Sequence, residues 1–322
     1  MNIALHEGQS PLSRYRLIDF GAGRKLEELG SYRIDRPSPA ADGIARKMPE
    51  LWRDAAAIYR VESKSWSYRL AWPNALKLDC GGFFMPVQPT PYGHIGLFPE
   101  QLSNWAWIRQ RIADWLRREQ STLSAIHTDA TLNESERADA SNAWGLNLFG
   151  YTGASTLAMV SAGLAVSHVD AAKPNVQTCR LAAEMNGWDH APIRYLVDDA
   201  LKFAQREVRR RRRYRMIVLD PPAYGHSPRG KAWRLERDLW PLLDACIELV
   251  DGSFAMLVTG HSPQVDAGDV IDYLMASASF RRKTRTSSAT GGHELQIESG
   301  RSFLEAETGM RLDTGFFTRF SL

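Results

Sequence analysis

Leu146-Asn147-Leu148-Phe149-Gly150-Tyr151-Thr152-Gly153, an Ala-rich run and then Val166-Ser167-His168-Val169-Asp170 form the stretch that decides the fold. An apolar run stops at two glycines three positions apart. A helix-forming run follows from about Ser155 to Gly163, and a second apolar run ends in one aspartate. This is the plan of a nucleotide-binding βαβ unit. Glycines let the backbone turn sharply and approach a ligand closely, and the helix N-terminus behind them carries a partial positive charge. An acidic residue ending the second strand accepts hydrogen bonds from a ribose diol.

The loop reads G-Y-T-G, where a dinucleotide-binding unit would read G-x-G-x-x-G, and either pattern alone is weak. A second stretch discriminates. Arg215-Met216-Ile217-Val218-Leu219 reads as a buried strand and ends in Asp220-Pro221-Pro222-Ala223-Tyr224-Gly225. An acidic residue, two prolines and a nearby aromatic at the end of a fourth strand have no role in a dehydrogenase. They resemble the signature of S-adenosylmethionine (SAM) methyltransferases that act on nucleobases.

Composition bounds the rest. At 322 residues, with 44% hydrophobic and 24% charged residues, the chain reads as a soluble globular protein of two domains. A net charge of +3 and an isoelectric point near 8.7 fall short of the basic footprint of a dedicated nucleic-acid binder. Met1 to Ser10 has no apolar signal core, and no apolar run approaches the roughly twenty residues a membrane span needs. Cys80, Cys179 and Cys246 are odd in number and widely spaced, which fits neither a disulfide framework nor a metal site. A reducing cytoplasm is expected, with no membrane and no metal.

Outward from the central stretch, strand-like runs fall at 146–149, 165–169, 193–197, 215–219 and 253–259. Helix-like runs lie between them at about 155–163, 173–186, 200–212 and 234–250, with another near 266–278. Two final runs, about 293–298 and 311–320, have no helix between them and predict a hairpin. Alternation of this kind gives a mostly parallel sheet with helices on both faces and ligand residues at the carboxyl ends of its strands. The expected fold class is therefore α/β, a Rossmann-like class I methyltransferase sheet with one antiparallel strand in a C-terminal hairpin.

Toward the N-terminus, Tyr15 to Phe20 alternates like a strand, Gly21-Ala22-Gly23 is a turn, and a second extended segment ends at Arg36-Pro37-Ser38-Pro39. Strand-like segments recur at Val61 to Ala71 and Leu76 to Pro86. Pro86 to Pro99 reads as loop, and Asn104 to Arg118 as a helix with Ile108, Ile112, Trp115 and Leu116 on one face. The expected division is a small mixed α+β domain over 1–120, a linker over 121–143 and a catalytic domain over 144–322.

Asn147 to Gly153, Asp220 to Tyr224 and Gly96-Leu97-Phe98-Pro99-Glu100-Gln101 together resemble the bacterial large-subunit (23S) rRNA methyltransferases of the RlmI/RlmK-like group, over about residues 90 to 322. The part before residue 90, with Leu17-Ile18-Asp19-Phe20-Gly21, resembles a subgroup of uncharacterised relatives. The resemblance implies SAM as cofactor. It implies that Asn147, Phe149, Gly150, Tyr151, Thr152 and Gly153 line its methionine part and that Asp170 holds the ribose hydroxyls. Asp199 would sit by the adenine amine, Asp220 under the methyl, and Phe98 and Gln101 at the far wall. Departures are Glu100 for the more frequent Asp, Trp105 where Arg is usual, a small Ala223, and the absence of a cysteine after the fifth strand, in Leu257-Val258-Thr259-Gly260-His261-Ser262-Pro263. They bear on the target base rather than on SAM.

Asp220, Pro221, Pro222 and Tyr224 are the expected catalytic residues. For an exocyclic amine, the Asp220 carboxylate and the Pro221 carbonyl would accept its two N–H bonds; for a ring nitrogen, positioning suffices. Tyr224 would stack on the base. The alternatives at single positions are a rigid turn for Asp220-Pro221-Pro222, a helix cap for Asp170 and a solvated residue for one of Asp198 and Asp199. His226, His261 and Ser262 fall on loops near the pocket. The run Arg206-Glu207-Val208-Arg209-Arg210-Arg211-Arg212-Arg213 reads as a solvated helix end complementing the dipole rather than as a grip on RNA phosphates. Trp52, Trp66, Trp72, Trp105 and Trp107 read as packing residues.

The function expected is methyl transfer from SAM to a nucleobase nitrogen, with ribosomal RNA as partner. The alternatives are a methyltransferase of this fold acting on a small molecule or protein, and an RNA-binding scaffold with a vestigial SAM pocket. Carbon 5 of a pyrimidine is not expected as acceptor, because it needs a thiolate that adds to carbon 6. Cys80 falls in the N-terminal domain, and Cys179 and Cys246 lie in apolar helix patterns.

Overall fold

The computed structural model describes residues 15–126, 144–225, 232–291 and 294–322, with the side chains of 119–126 and 286–291 excepted. Met1 to Ser10, His226 and most of the expected linker lie outside these residues. The chain divides into two compact units. One holds residues up to Ser103 together with Ser302–Thr314, and the other Asn104–Arg301 with Gly315–Leu322. The helix that begins at Leu102 thus has its residues from Asn104 onward in the second unit, and the far end of the C-terminal hairpin belongs to the first.

The first unit is built on a five-stranded sheet of β1 (Tyr15–Gly21), β2 (Arg24–Leu29), β3 (Tyr32–Pro37), β4 (Ala57–Arg60) and β5 (Ser65–Tyr68), in that spatial order. β3 and β4 run parallel and the other pairs antiparallel. The extended segment expected to end at Pro39 is two strands, because Gly30 adopts φ 67° and reverses the chain. The strand expected over Val61 to Ala71 is β5 alone, preceded by a turn at 61–64. A small hairpin of β6 (Lys77–Asp79) and β7 (Phe84–Pro86) follows.

Charge is buried here, and it is paired. Glu27 is fully buried between Arg36, Lys25 and the Tyr15 hydroxyl, which donates to it at 2.9 Å. Burial opposes its ionisation, but the two cations hold its carboxyl down at about 2. Asp19, also buried, accepts from the Lys47 and Met48 amides and from Trp52 Nε1 at 2.9 Å.

The second unit opens with α1 (Leu102–Ile126) and continues as β8 (Trp144–Leu148), α2 (Ala154–Ser161), β9 (Ala165–Asp170), α3 (Lys173–Met185), β10 (Ile193–Val197), α4 (Ala200–Arg209) and β11 (Tyr214–Leu219). A two-residue ribbon of β12 (Tyr224–Gly225) and β13 (Trp233–Arg234) precedes α5 (Leu235–Leu249), β14 (Val250–Gly260), α6 (Ala267–Ala276) and α7 (Ala278–Gly291). β15 (Gln296–Glu305) and β16 (Arg311–Ser321) close the chain. The one helix expected near 266–278 is two, because Ser277 is extended (φ −66°, ψ 120°).

Seven of these strands form one sheet in the order β10-β9-β8-β11-β14-β16-β15. β8, β9, β10, β11 and β14 are parallel, and β16 inserts antiparallel beside β14. The central parallel strand β11 reads as an apolar run over Met216 to Leu219 because both faces are covered. Phe203 of α4, Leu239 and Leu243 of α5 and Phe280 of α7 join one cluster with Ile217, Met256 and Phe320 of the sheet. α1 covers the other face. There Asn104 Oδ1 accepts from Arg319 Nη2 of β16 at 2.8 Å, and Trp105 Nε1 donates to Ser155 Oγ at 3.2 Å. Ile108, Ile112 and Trp115 are buried on this helix, while Leu116 is half-exposed.

Candidate active site at the carboxyl ends of the strands

Strand register brings the site together. Leu148 aligns with Val169 on one side and Leu219 on the other, Asp170 aligns with Val197, and Leu219 aligns with Val258. Phe149, Asp170, Asp198, Asp220 and Thr259 therefore leave one level of the sheet, at its carboxyl edge.

The glycine loop is strained and tied down. Phe149 (φ 57°), Tyr151 (φ 48°) and Gly153 (φ 98°) are all left-handed. For the two aromatic residues that conformation costs about 1–3 kcal/mol each. Three bonds offset it: Gly150 N donates to Val169 O at 2.9 Å, Tyr151 N to Asp170 Oδ2 at 2.8 Å, and Gly153 N to Gly150 O at 3.0 Å. The glycines are required by packing beneath the loop. A Cβ on Gly150 would lie 2.5 Å from the His168 ring, and one on Gly153 would lie 2.3 Å from Cys179 Sγ.

Beneath the loop lies a buried polar chain. Asn147 Nδ2 donates to Thr156 Oγ1, which lies 2.9 Å from His168 Nδ1. All three residues are buried, and burial lowers the imidazole to about 4, so His168 is neutral. Asn147 thus acts from under the loop. Thr152 is buried as well.

Asp170 already has three donors, since Ala172 N (2.9 Å) and Asn175 Nδ2 (3.0 Å) reach Oδ1 beside the Tyr151 bond to Oδ2. Burial raises its carboxyl above the usual range against the pull of those bonds. Asp199 caps α4, accepting from Lys202 N at 2.9 Å, and Asp198 pairs with Arg206 and accepts from Asp199 N. Neither member of that pair is merely solvated.

Thr259 Oγ1 donates to Asp220 Oδ1 at 2.5 Å. Pro221 is buried, and Pro222, Ala223 and Tyr224 are exposed. Trp233 ties this turn to the glycine loop. Its Nε1 donates to Pro222 O at 2.8 Å, and its ring centroid lies 4.7 Å from that of Phe149. Neither Thr259 nor Trp233 is among the residues expected from sequence. Thr259 stands in a quoted segment, but the bond that matters crosses between two strands, and nothing local to Trp233 marks it.

Phe98 and Gln101 belong to the first unit, where Phe98 meets the His94 ring edge-on at 5.5 Å. His261 is exposed, and Ser262 bonds Gln264 at 2.9 Å. Arg206 pairs with Asp198 at this edge, whereas Arg209 to Arg213 lead into the amino end of β11, away from it, where Arg210 and Arg213 pair with Glu207 and Asp251. Trp66 and Trp72 spend their indole N–H groups on Thr90 O and Val87 O, as packing residues do. Among the described residues no cluster of His, Cys, Asp and Glu suits a metal ion, and no helix is long and apolar enough to cross a membrane.

The strand order, the single antiparallel insertion and the acidic carboxyl edge are those of the class I SAM-dependent methyltransferase fold. A solved SAM-dependent methyltransferase from Agrobacterium tumefaciens matches with a TM-score of 0.77 at 28% identity, over 97% of this chain and 92% of its own. Over 108 residues the chain is 32% identical to ribosomal RNA large subunit methyltransferase K/L of Methylococcus capsulatus. Over 107 residues it is 30% identical to ribosomal RNA large subunit methyltransferase K of Neisseria meningitidis serogroup B. Each match takes in 33% of this chain, which spans only 15% and 30% of the length of these two relatives. No protein-family model matches the chain.

Proposed function

We propose that the protein is a SAM-dependent methyltransferase that modifies a nucleobase nitrogen in 23S ribosomal RNA. The observation that carries this reading is the meeting, at one sheet edge, of a glycine loop anchored on Asp170 and an Asp220-Pro221-Pro222 turn with Tyr224 exposed beside it. The two curated relatives support ribosomal RNA as the substrate.

The residues present fit SAM. Gly153 stands at the N-cap of α2 and brings no side-chain cap, so the first N–H groups of the helix suit an amino-acid carboxylate. Asp170 and Asp199 end or follow the next two strands, where carboxylates suit ribose hydroxyls and an adenine amine. When bound, SAM supplies an activated methyl group on a sulfonium leaving group. The protein binds, orients and excludes water. Thr259 fixes the Asp220 carboxylate, which would accept one N–H of an exocyclic amine while the Pro221 carbonyl accepts the other. A ring nitrogen would need only to be held in line. Tyr224, 52% exposed, presents ring surface that would lie against a base, a contact contributing about 1–3 kcal/mol.

The cysteines support a nitrogen rather than a pyrimidine carbon as acceptor. Cys80, Cys179 and Cys246 are all buried, and burial drives each thiol well above its ordinary range. No thiolate is available to activate a pyrimidine carbon, and this favours nitrogen. The deciding experiment pairs a calorimetric SAM titration with mass mapping of rRNA from a deletion strain. We expect binding, and one large-subunit nucleotide lighter by a methyl group in the mutant rRNA, restored by purified protein. Absence of SAM binding would make the pocket vestigial. Binding with unaltered rRNA would move the substrate to a small molecule or protein.

A further inference from the structure

Trp233 touches both halves of the site without belonging to either motif. Its ring lies on Phe149, a residue held at φ 57° in the glycine loop. Its Nε1–H reaches the carbonyl of Pro222, in the turn that follows Asp220. Two backbone arrangements fix Trp233 in turn. It pairs with Gly225 in the β12–β13 ribbon, and Leu235 N donates to Ala223 O at 3.0 Å at the start of α5. Pro222 and Ala223 are thus gripped from one side by a single short segment, while Asp220 is held from the other by Thr259.

The grip is selective. Prolines at 221 and 222 have no N–H groups, so this turn is ordered largely through its carbonyls. With the Pro222 carbonyl engaged by Trp233, the peptide plane after Pro222 is set. That orients the preceding carbonyl, the one expected to face the acceptor amine. On the cofactor side, an aromatic residue in the left-handed region persists only where neighbours over-determine it. The indole ring, tilted 59° against that of Phe149, supplies that support from outside the loop, complementing the Tyr151 bond to Asp170 from within.

We infer that Trp233 is a positioning residue that joins the cofactor loop to the acceptor loop, its ring bracing Phe149 and its N–H orienting the Pro221-Pro222 carbonyls. This rests on the methyltransferase reading above. Occupancy of the glycine loop is then transmitted to the acceptor turn through one side chain. The ring and the N–H are separable functions, because phenylalanine keeps an aromatic face and lacks the donor.

The test compares wild type, Trp233→Phe and Trp233→Leu. Calorimetry reads S-adenosylhomocysteine (SAH) binding, and single-turnover transfer from labelled SAM onto deletion-strain rRNA reads the methyl step. Trp233→Phe should bind SAH within about twofold of wild type but transfer roughly tenfold more slowly, as expected for loss of one hydrogen bond. Trp233→Leu should lose SAH affinity as well, by about tenfold, through the lost aromatic contact. A protein labelled with 5-fluorotryptophan gives an acceptor-independent arm. The residue-233 resonance, assigned with whichever variant folds, should shift on saturation with SAH alone. A wild-type transfer rate in folded Trp233→Phe, or an unmoved residue-233 resonance in SAH-saturated protein, overturns the inference. A wild-type protein that binds SAH but leaves rRNA unmodified overturns the substrate reading instead, and the fluorine arm still decides the role of Trp233.

Discussion

Replacing Asp170 by asparagine separates the two tasks that the geometry gives this carboxylate. The change is nearly isosteric. An amide oxygen in the Oδ1 position keeps the bonds from Ala172 N and Asn175 Nδ2, at 2.9 and 3.0 Å. The Oδ2 position becomes an NH2 group, which faces the Tyr151 N–H now bonded at 2.8 Å. One hydrogen bond to a charged acceptor is lost, about 1.5–3 kcal/mol, and a donor is left opposed to a donor. The thermal midpoint should fall by roughly 5 °C or more for a domain of this size. SAM affinity should fall by at least about tenfold, since the loop loses its anchor and the ribose loses a charged acceptor. Titrating wild type and Asp170→Asn with 5′-methylthioadenosine and with its 2′,3′-dideoxy analogue isolates the ribose part. Wild type should prefer the diol and the variant should not. The pH dependence has a definite sign. The folded carboxyl is raised above its unfolded value by burial, so this group favours the folded state at low pH. That contribution is lost as pH rises through the raised value. SAM affinity behaves oppositely, because the ionised form accepts the ribose hydroxyls. It should begin to fall at a pH above the ordinary aspartate range, and only in the wild type. A folded Asp170→Asn protein with unchanged SAM affinity would refute the assignment.

Three further outcomes follow. Asp220→Ala should spare SAM affinity within a fewfold and slow single-turnover transfer far more, because the proposed role of this carboxylate is toward the acceptor; equal losses in calorimetry and kinetics would move it to the cofactor shell. Gly150→Ala should lose about 1–3 kcal/mol in denaturant unfolding together with SAM affinity, since its Cβ meets the His168 ring at 2.5 Å; a fully stable variant would contradict the packing. The triple Cys80→Ser, Cys179→Ser, Cys246→Ser protein should keep methyl transfer wherever it folds, and RNA carrying 5-fluoropyrimidines should form no covalent adduct with the wild type; a trapped adduct would make a pyrimidine carbon the acceptor.

The second unit was legible because its central strands are buried on both faces. Met216 to Leu219 is continuously apolar, Val166 to Val169 is buried throughout although Ser167 and His168 are polar, and the intervening helices alternate polar and apolar faces. The first unit was less so. β2 reads Arg24-Lys25-Leu26-Glu27-Glu28-Leu29, a polar segment by composition, yet Lys25 and Glu27 are buried because they pair with each other and Arg36 and Tyr15 reach Glu27 across the sheet. Pairing between strands cannot be read along one strand. The same holds at the site. Asp170 and Asp220 stand out because they end apolar runs. Thr259 and Trp233 do not, because their partners lie 39 and 11 positions away and meet them only through the fold. The glycines were legible as a motif, but their local reason lies in the side chains below them rather than in a ligand above.

Each acidic residue at the sheet edge also has a structural partner before any cofactor arrives. Asp170 anchors the glycine loop, Asp199 caps α4 and Asp220 takes the Thr259 hydroxyl. This is an economical way to build a site that needs little reorganisation. A carboxylate accepts several hydrogen bonds at once, so one oxygen can be committed to backbone while capacity remains for a ligand. The committed bonds fix the rotamer, and a fixed rotamer removes an ordering cost that would otherwise come out of the binding free energy. The arrangement explains why the loop tolerates left-handed Phe149 and Tyr151. Strain of about 1–3 kcal/mol at each is sustained by bonds that ligand binding does not have to create. It also locates the weak point. Asp170 and Trp233 support the two ends of the same strained turn, Tyr151 through the backbone and Phe149 through its ring, so losing either frees one aromatic residue to relax and carry the loop with it.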